Sequence, residues 1–517
     1  MEIIYRLNNP NYTIYHRAAL GGLAATIKAW SKRKITPEGI SATLQRNQVT
    51  LSWGDELPAQ DALRRILDAS FRLTKDKLID LPGQGVDADD YSLRLAIHNG
   101  ICGTFLDHTT THKKDGIYKI ELKNIDDLTG GFFSYKALRS YAHQDADERL
   151  GLSDKKGTLE KIADIPKWVI PGAYSGATHL ETNAADAFLL LYLMVGSTIF
   201  LLRPRMWKEK AQFCVVVPNV DDLQAFAARL QIINARTQNF ERFTNNYLGR
   251  VVGGAEDAAL RFLIDIGTTG IAEARGIDGC LSIAMGKASW GGKNQNYRSQ
   301  IIKLKDSYPD IGIYRAAYST GKSRFIKPNK NSEGFAAPGS PLPELIAANL
   351  AREAHWCGDF RTLVSKKEEF KQILFHQGGL QAMNQAVKEE NDKAIISAFH
   401  EAWKMTMKNL YDRAREENLK SAERLIDVRR ERIRNDILRA KTSDALAGWF
   451  LQFCANSTKE GGKLKTMQAE SERIRKFIFN PRNFDQFQNL CLFALVSYAS
   501  EPKSSQTENN QPTGGEN

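Results

Sequence analysis

Paired cysteines are what this chain most plainly lacks. Its six cysteines, Cys102, Cys214, Cys280, Cys357, Cys454 and Cys491, are scattered, with no C-x-x-C among them. That spacing supports neither a zinc ribbon nor a disulfide framework, and it predicts free, buried thiols in a reducing compartment. A membrane-length apolar run is missing too. The longest stretch, FLLLYLMVGSTIFLL at 188–202, is bounded by Asp186 and Arg203. It falls short of the roughly 20 residues a span needs, so it reads as buried core. The opening MEIIYRLNNP carries neither the basic nor the apolar region of a signal peptide. The expectation is a cytoplasmic protein with no membrane partner.

Catalytic signatures are also wanting. STGKS, 319–323, has a Gly-Lys pair, but a phosphate loop needs a first glycine five residues earlier, where Ala316 stands. DIGTTG, 265–270, is similar to a phosphate-binding strand, yet it follows a predicted helix and has no second copy, so Asp265 reads as a cap or turn residue. HTTTH, 108–112, sets two imidazoles four residues apart. Three threonines disfavour the helix that would align them, and Lys113 and Lys114 disfavour a cation beside them. No G-x-S-x-G, Cys-His signature or acidic cluster for two-metal chemistry is present. These absences predict a protein that is not an enzyme and holds no cofactor or metal.

Basic charge is what the chain has. Its 517 residues carry a formal +11, a balance that favours polyanions through steering and counterion release. The excess is concentrated. Between Lys287 and Lys330 stand ten basic residues against Asp306 and Asp310, a local +8. Trp290, Tyr297, Tyr308, Tyr314, Tyr318 and Phe325 are interleaved with them. Basic and aromatic side chains in alternation suit nucleic acid, whereas a plain solvated face needs no aromatics.

Patterning predicts an α+β fold. A mixed large N-terminal domain spans 1–375, an all-α helical bundle 376–500, and a disordered tail 501–517. The chain opens as strand, helix and hairpin, with Gly21 and Gly22 inside the helix marking close backbone packing. Residues 54–180 read as short helices among Gly- and Asp-rich turns. GIYRAAY, 312–318, reads as a strand. From about 344 the pattern is helical, with Ile395, Phe399 and Trp403 in one register of a long hairpin over 381–440. Residues 408–441 hold eleven basic and seven acidic residues around a narrow apolar stripe, and FDQFQNLCLFALVSYA at 484–499 reads as a buried helix.

The stretch GKASWGGKNQNYRSQIIKLKD, 286–306, is the candidate site. Lys287, Lys293 and Arg298 can neutralise phosphates, contacts that position without specifying. Asn294, Gln295 and Asn296 offer paired donors and acceptors for base edges. Gly291 and Gly292 permit close backbone approach, and Trp290 can stack on an exposed base. Lys303, Lys305, Arg315, Lys322, Arg324 and Lys327 are candidates for backbone phosphate.

The strings YTIYHRAALGGLAATIKAW, LLLYLMVGSTIFLLRPR, SWGGKNQNYRSQ and IAANLAREAHWCGDF together resemble the large subunit of type I CRISPR surveillance complexes (Cascade), in the MYXAN or DevT-like branch that CRISPR-associated transposons sometimes carry. The resemblance covers most of residues 1–360. In that family the loop is closer to Pro-Trp-x-x-Gln-Gln-Lys-Ser-Arg; here Ser289 stands for the proline, and Asn294, Gln295, Asn296 and Tyr297 precede Arg298. The resemblance implies a non-catalytic antiviral-defence subunit. Its partners would be a guide crRNA held by its 5′ handle, target double-stranded DNA, Cascade backbone subunits and a small subunit. A helicase-nuclease or a transposition adaptor would act downstream. The subunit would help recognise the protospacer-adjacent motif and open the duplex into an R-loop, the guide reading sequence by base pairing. The resemblance also implies that the same gene can make the small subunit from an internal start. Met383, which leaves 135 residues to Asn517, is the candidate. Gly378–Gly379 lie just upstream, where Gly-Gly codons can spell a ribosome-binding sequence; the glycines equally read as a helix end. Two rivals stand beside this reading: a stand-alone DNA-binding regulator, and an ATP-using enzyme built on 265–323.

Overall fold

The structure, a computed structural model, describes residues 1–85, 91–107, 112–122, 131–141, 162–164, 181–202, 212–234, 241–242, 248–267, 276–287, 295–303, 310–320, 324–326, 335–337, 339–374, 376–417, 421–458 and 462–498. Internal contacts divide the chain into two units. One comprises Met1–Tyr308 and Lys322–Ala351; the other comprises Pro309–Gly321 and Arg352–Asn517. The first is α+β. Every described element of the second is helical, and from Leu342 to Ser497 the described elements are helices only.

The first unit is built on a helix buried all round. Every residue from Ala18 to Ile27 of the helix Ile14–Arg33 is buried. Small side chains make that possible. A Cβ on Gly22 would collide with the Tyr192 carbonyl oxygen and stand 2.6 Å from Gly196 N, and one on Gly196 would collide with the Ala18 carbonyl oxygen. Two backbones therefore touch where the sequence marks Gly21–Gly22. The strand Glu2–Arg6 pairs antiparallel with Gln48–Trp53, which also pairs with Ile40–Leu44. The long apolar run is core, folded as the helix Ala184–Leu190, the turn Leu193–Gly196 and the strand Thr198–Leu202. Buried Gln84 ties that turn down, its amide nitrogen donating to Val195 O at 2.6 Å and Met194 O at 3.2 Å. Among the described residues no helix is long and apolar enough to cross a membrane.

A five-stranded sheet completes this core. Its order is Val251–Val252, Thr198–Leu202, Gln212–Val220, Ile277–Lys287 and Gln295–Lys303. The middle strands read as continuous apolar runs because both faces are covered, Cys214 to Val217 being fully buried. Residues 54–180 depart from expectation. Besides short helices they hold a long antiparallel ribbon, His112–Leu122 paired with Gly131–Tyr141. Tyr118, Ile120 and Leu122, like Phe133, Tyr135 and Ala137, alternate along it with the period of two that a half-buried ribbon requires.

The second unit is a bundle around the helices Glu390–Glu416 and Phe484–Ser497. Ile395, Phe399 and Trp403 are fully buried on one face of the first, as their spacing predicts, and Phe487 to Val496 are buried throughout the second. GIYRAAY is not a strand. It lies in the helix Ile311–Thr320, because Ile313, Tyr314 and Ala317 bury one helical face. Gly378–Gly379 do not end a helix either; they fall in the first turn of the helix Gln377–Ala386, on which Met383 is fully buried. The bundle's polar centre is Asp392. This fully buried carboxylate accepts from Trp356 Nε1 at 2.7 Å and Gln486 Nε2 at 3.0 Å, and meets His355 Nε2 at 2.8 Å. It sits in the first turn of its helix, where exposed backbone N–H groups favour negative charge.

Candidate nucleic-acid interface

The described parts of the basic stretch lie in two paired strands at the sheet's edge. Within the strand Ile277–Lys287, residues Cys280, Leu281, Ser282, Ile283 and Met285 are all buried, so both faces of 280–285 are covered. The strand is thereby fixed against Gln212–Val220 on one side, and Gln295–Lys303 adds on the other as the last strand. The register sets Lys287 opposite Gln295, Gly286 opposite Asn296, and Ala284 opposite Arg298. Four of the expected contact residues, Lys287, Gln295, Asn296 and Arg298, thus stand within the last four cross-strand pairs before the hairpin's tip. Trp290, Lys293 and Asn294 lie between the strands, outside the described residues.

Strand alternation refines the expectation. Positions 296 and 298 fall on one face of the hairpin and position 295 on the other. Two neighbouring amide positions, 295 and 296, therefore belong to different faces.

The second expected set is described in part. Lys303 pairs with Gly279 at the far end of the strand, about 27 Å from Gln295 at the usual rise per residue. Arg324 lies opposite Ala337 in a short two-stranded sheet. Arg315 is exposed on the helix Ile311–Thr320, in the second unit. Lys305, Lys322 and Lys327 lie outside the described residues.

The groups considered for chemistry have other occupations. All six cysteines are free. Burial pushes the thiols of Cys102, Cys214 and Cys454 up to about 12 and those of Cys280, Cys357 and Cys491 higher still, so none is a thiolate at neutral pH. Asp265 is buried near the end of the helix Ala255–Gly267. His112 opens the ribbon, buried, while residues 108–111 lie outside the described residues. Among the described residues, no group of three or more His, Cys, Asp or Glu is placed to share a metal ion. A partly open pocket in the first unit, lined by Gln84, Ser197, Thr198, Asn234 and Arg250 among others, measures about 40 Å³. That volume holds water and not a substrate.

A strand pair rich in basic residues at the sheet edge of an α+β unit, in a chain whose other unit has only helices among its described elements, defines a class of two-part protein. Two family models match it: the DevT N-terminal domain over residues 4–191 and the DevT C-terminal domain over residues 383–516. In that order along the chain, the two matches make it similar to a DevT-like protein. No curated protein matches it.

Proposed function

We propose that this chain is the non-catalytic large subunit of a type I CRISPR RNA-guided surveillance complex, acting in the cytoplasm. The observation that carries the reading is the basic edge hairpin in a chain with both DevT domains. Lys287 and Arg298, with Lys293, hold phosphate near the tip. Asn296, with Asn294, reads base edges of the protospacer-adjacent motif, and Trp290 stacks where the duplex opens. Lys303, Lys305, Arg315, Lys322, Arg324 and Lys327 hold nucleic-acid backbone elsewhere. The guide crRNA, the Cascade backbone, a small subunit and a helicase-nuclease or transposition adaptor are the partners. The small subunit is this chain's own C-terminal part, translated from Met383; the C-terminal match beginning at that residue supports this.

Two measurements test the reading. The first is a pull-down through a C-terminal tag from cells carrying the neighbouring genes. Short uniform RNA with several partner proteins is the expected result, together with a second tagged species starting near Met383. A lone full-length chain without RNA overturns it in favour of a stand-alone DNA-binding regulator. The second is duplex binding against salt. Arg298→Ala weakens binding to all sequences and lowers the salt slope by about 1. Asn296→Ala instead relaxes motif choice, by about 1–3 kcal/mol at one base pair. Identical behaviour of the two variants removes base readout from this hairpin.

A further inference from the structure

The ribbon formed by His112–Leu122 and Gly131–Tyr141 presents two unlike faces. The inner one is core: Leu122, Phe133, Tyr135 and Ala137 pack with Leu78, Leu93, Leu95 and Leu248. It is also pinned by hydrogen bonds. Tyr135 Oη donates to Asp76 O at 2.7 Å, and Leu138 N donates to Lys77 O at 3.1 Å. His98 accepts from Ile79 N through Nδ1 at 3.0 Å, which leaves Nε2 to donate to Lys136 O at 2.8 Å. A ribbon held this way is a rigid support.

The outer face is what calls for explanation. Opposed residues of an antiparallel pair share a face, so Ile117 with Lys136, Lys119 with Ser134, and Glu121 with Phe132 form three successive rows. Ile117 is 80% exposed and Phe132 65% exposed. About 13 Å of strand separates their rows, and exposed Lys119 stands midway. Lys113, Lys114 and Arg139 are exposed on the same ribbon, and Lys136 is half-buried. Five cations therefore accompany two apolar groups, against the acids Asp115 and Glu121. Asp115 is engaged by the Tyr118 hydroxyl at 2.7 Å. Among the described residues Lys114, Lys119 and Lys136 make no ion pair. Burial, and then the neighbouring Lys114 charge, push the Lys136 amine down, although Cys102 and Asp107 oppose this. An anion placed between the two lysines would relieve that repulsion.

We propose that this outer face is a second nucleic-acid site and takes single-stranded DNA. Lysine is depleted from protein–protein interfaces, so the cations disfavour a protein partner. A duplex hides the faces of its bases, and only an unpaired base offers Phe132 a surface to stack on. Ile117, about 13 Å further along the strand, gives the methyl of a thymine further along the same strand an apolar contact that uracil lacks. The inference goes beyond the function proposed above and stands without it, since it shares no residue with the edge hairpin.

The test is fluorescence anisotropy of the full chain with oligothymidylate, oligouridylate and a duplex of equal length. Oligothymidylate binds most tightly. Phe132→Ala weakens it by about tenfold, and by less on the duplex. Replacing Lys119 and Lys136 together by alanine lowers the single-strand salt slope by about 1.4. Ile117→Ala narrows the gap between oligothymidylate and oligouridylate. Phe132 and Ile117 are exposed, so their loss leaves the fold intact, which circular dichroism checks. Absence of oligothymidylate binding, equal affinity for oligouridylate, or equal losses on single strand and duplex each overturn the proposal. A chain that binds oligothymidylate through the ribbon yet ignores motif-bearing duplex would refute only the edge-hairpin reading.

Discussion

The two units solve the same problem, a large core containing polar groups, with connections of different reach. In the mixed unit, hydrogen bonds join residues far apart in sequence. Tyr5 Oη donates to Ala185 O across 180 residues, Arg17 to Asn219 across 202, and Asn234 to Gln84 across 150. In the helical unit many polar contacts are local: Arg413 with Glu417 at i,i+4, Thr442 capping the helix that follows it, and Lys476 with Glu472 at i,i+4. Its long-range ties converge on a few points, Asp392 above all. The difference teaches where each unit is vulnerable. The first depends on close backbone approach between distant segments, the second on a few buried anchors.

The largest effect expected from that contrast is at Gly196. A valine there drives side-chain atoms into the Ala18 carbonyl, and we expect a loss of about 4 kcal/mol. Amide hydrogen exchange resolved by peptide should accelerate in the first unit. Equal acceleration in the bundle would mean that the two units do not respond separately.

Acid comes next and touches both units. Burial lowers His98 in the first unit and His400 in the second from 6.5 to about 4. Between those values the unfolded chain takes up a proton that the folded chain refuses, so stability falls as pH drops from about 6.5 and the loss is complete below about 4. Each histidine accounts for about 3 kcal/mol. Thermal unfolding across that range should show the decline. His98→Gln should blunt the acid-induced exchange in the first unit and leave that of the bundle in place; blunting in both would erase the distinction.

Asp392→Ala is the smallest of the three. It strips Trp356, Gln486 and His355 of a shared acceptor, which costs about 2 kcal/mol. The exchange increase should centre on Arg352–Phe360 and the start of the helix Glu390–Glu416. An increase spread evenly over the bundle would show that Asp392 is not its anchor.

Legibility followed the same division. The bundle's helices were readable because an apolar stripe every 3.6 residues is a local signal, as Ile395, Phe399 and Trp403 illustrate. In the mixed unit the opening strand, helix and hairpin were readable, and so was the use of Gly22. The ribbon is hidden even though its alternation is plain in Tyr118, Ile120 and Leu122, because Gly and Asp nearby read as turns. GIYRAAY reads as a strand because its isoleucine and two tyrosines suit one; the spacing of Ile313, Tyr314 and Ala317 suits a helix.

For the candidate site, composition alone located the stretch. Ten cations and interleaved aromatics are properties of the chain, and charge acts at long range whatever the fold. The scattered spacing also pointed to free thiols, and all six are free, five of them buried and Cys102 half-buried. What only the tertiary structure decided is geometry: that Lys287, Gln295, Asn296 and Arg298 fall in the last four cross-strand pairs while Lys303 lies at the far end of the strand, that positions 295 and 296 belong to different faces, and that Ile117 and Phe132 are left outside the core. Those are facts of strand register. Register is set by which face of a neighbouring strand is buried, and no single segment carries that information.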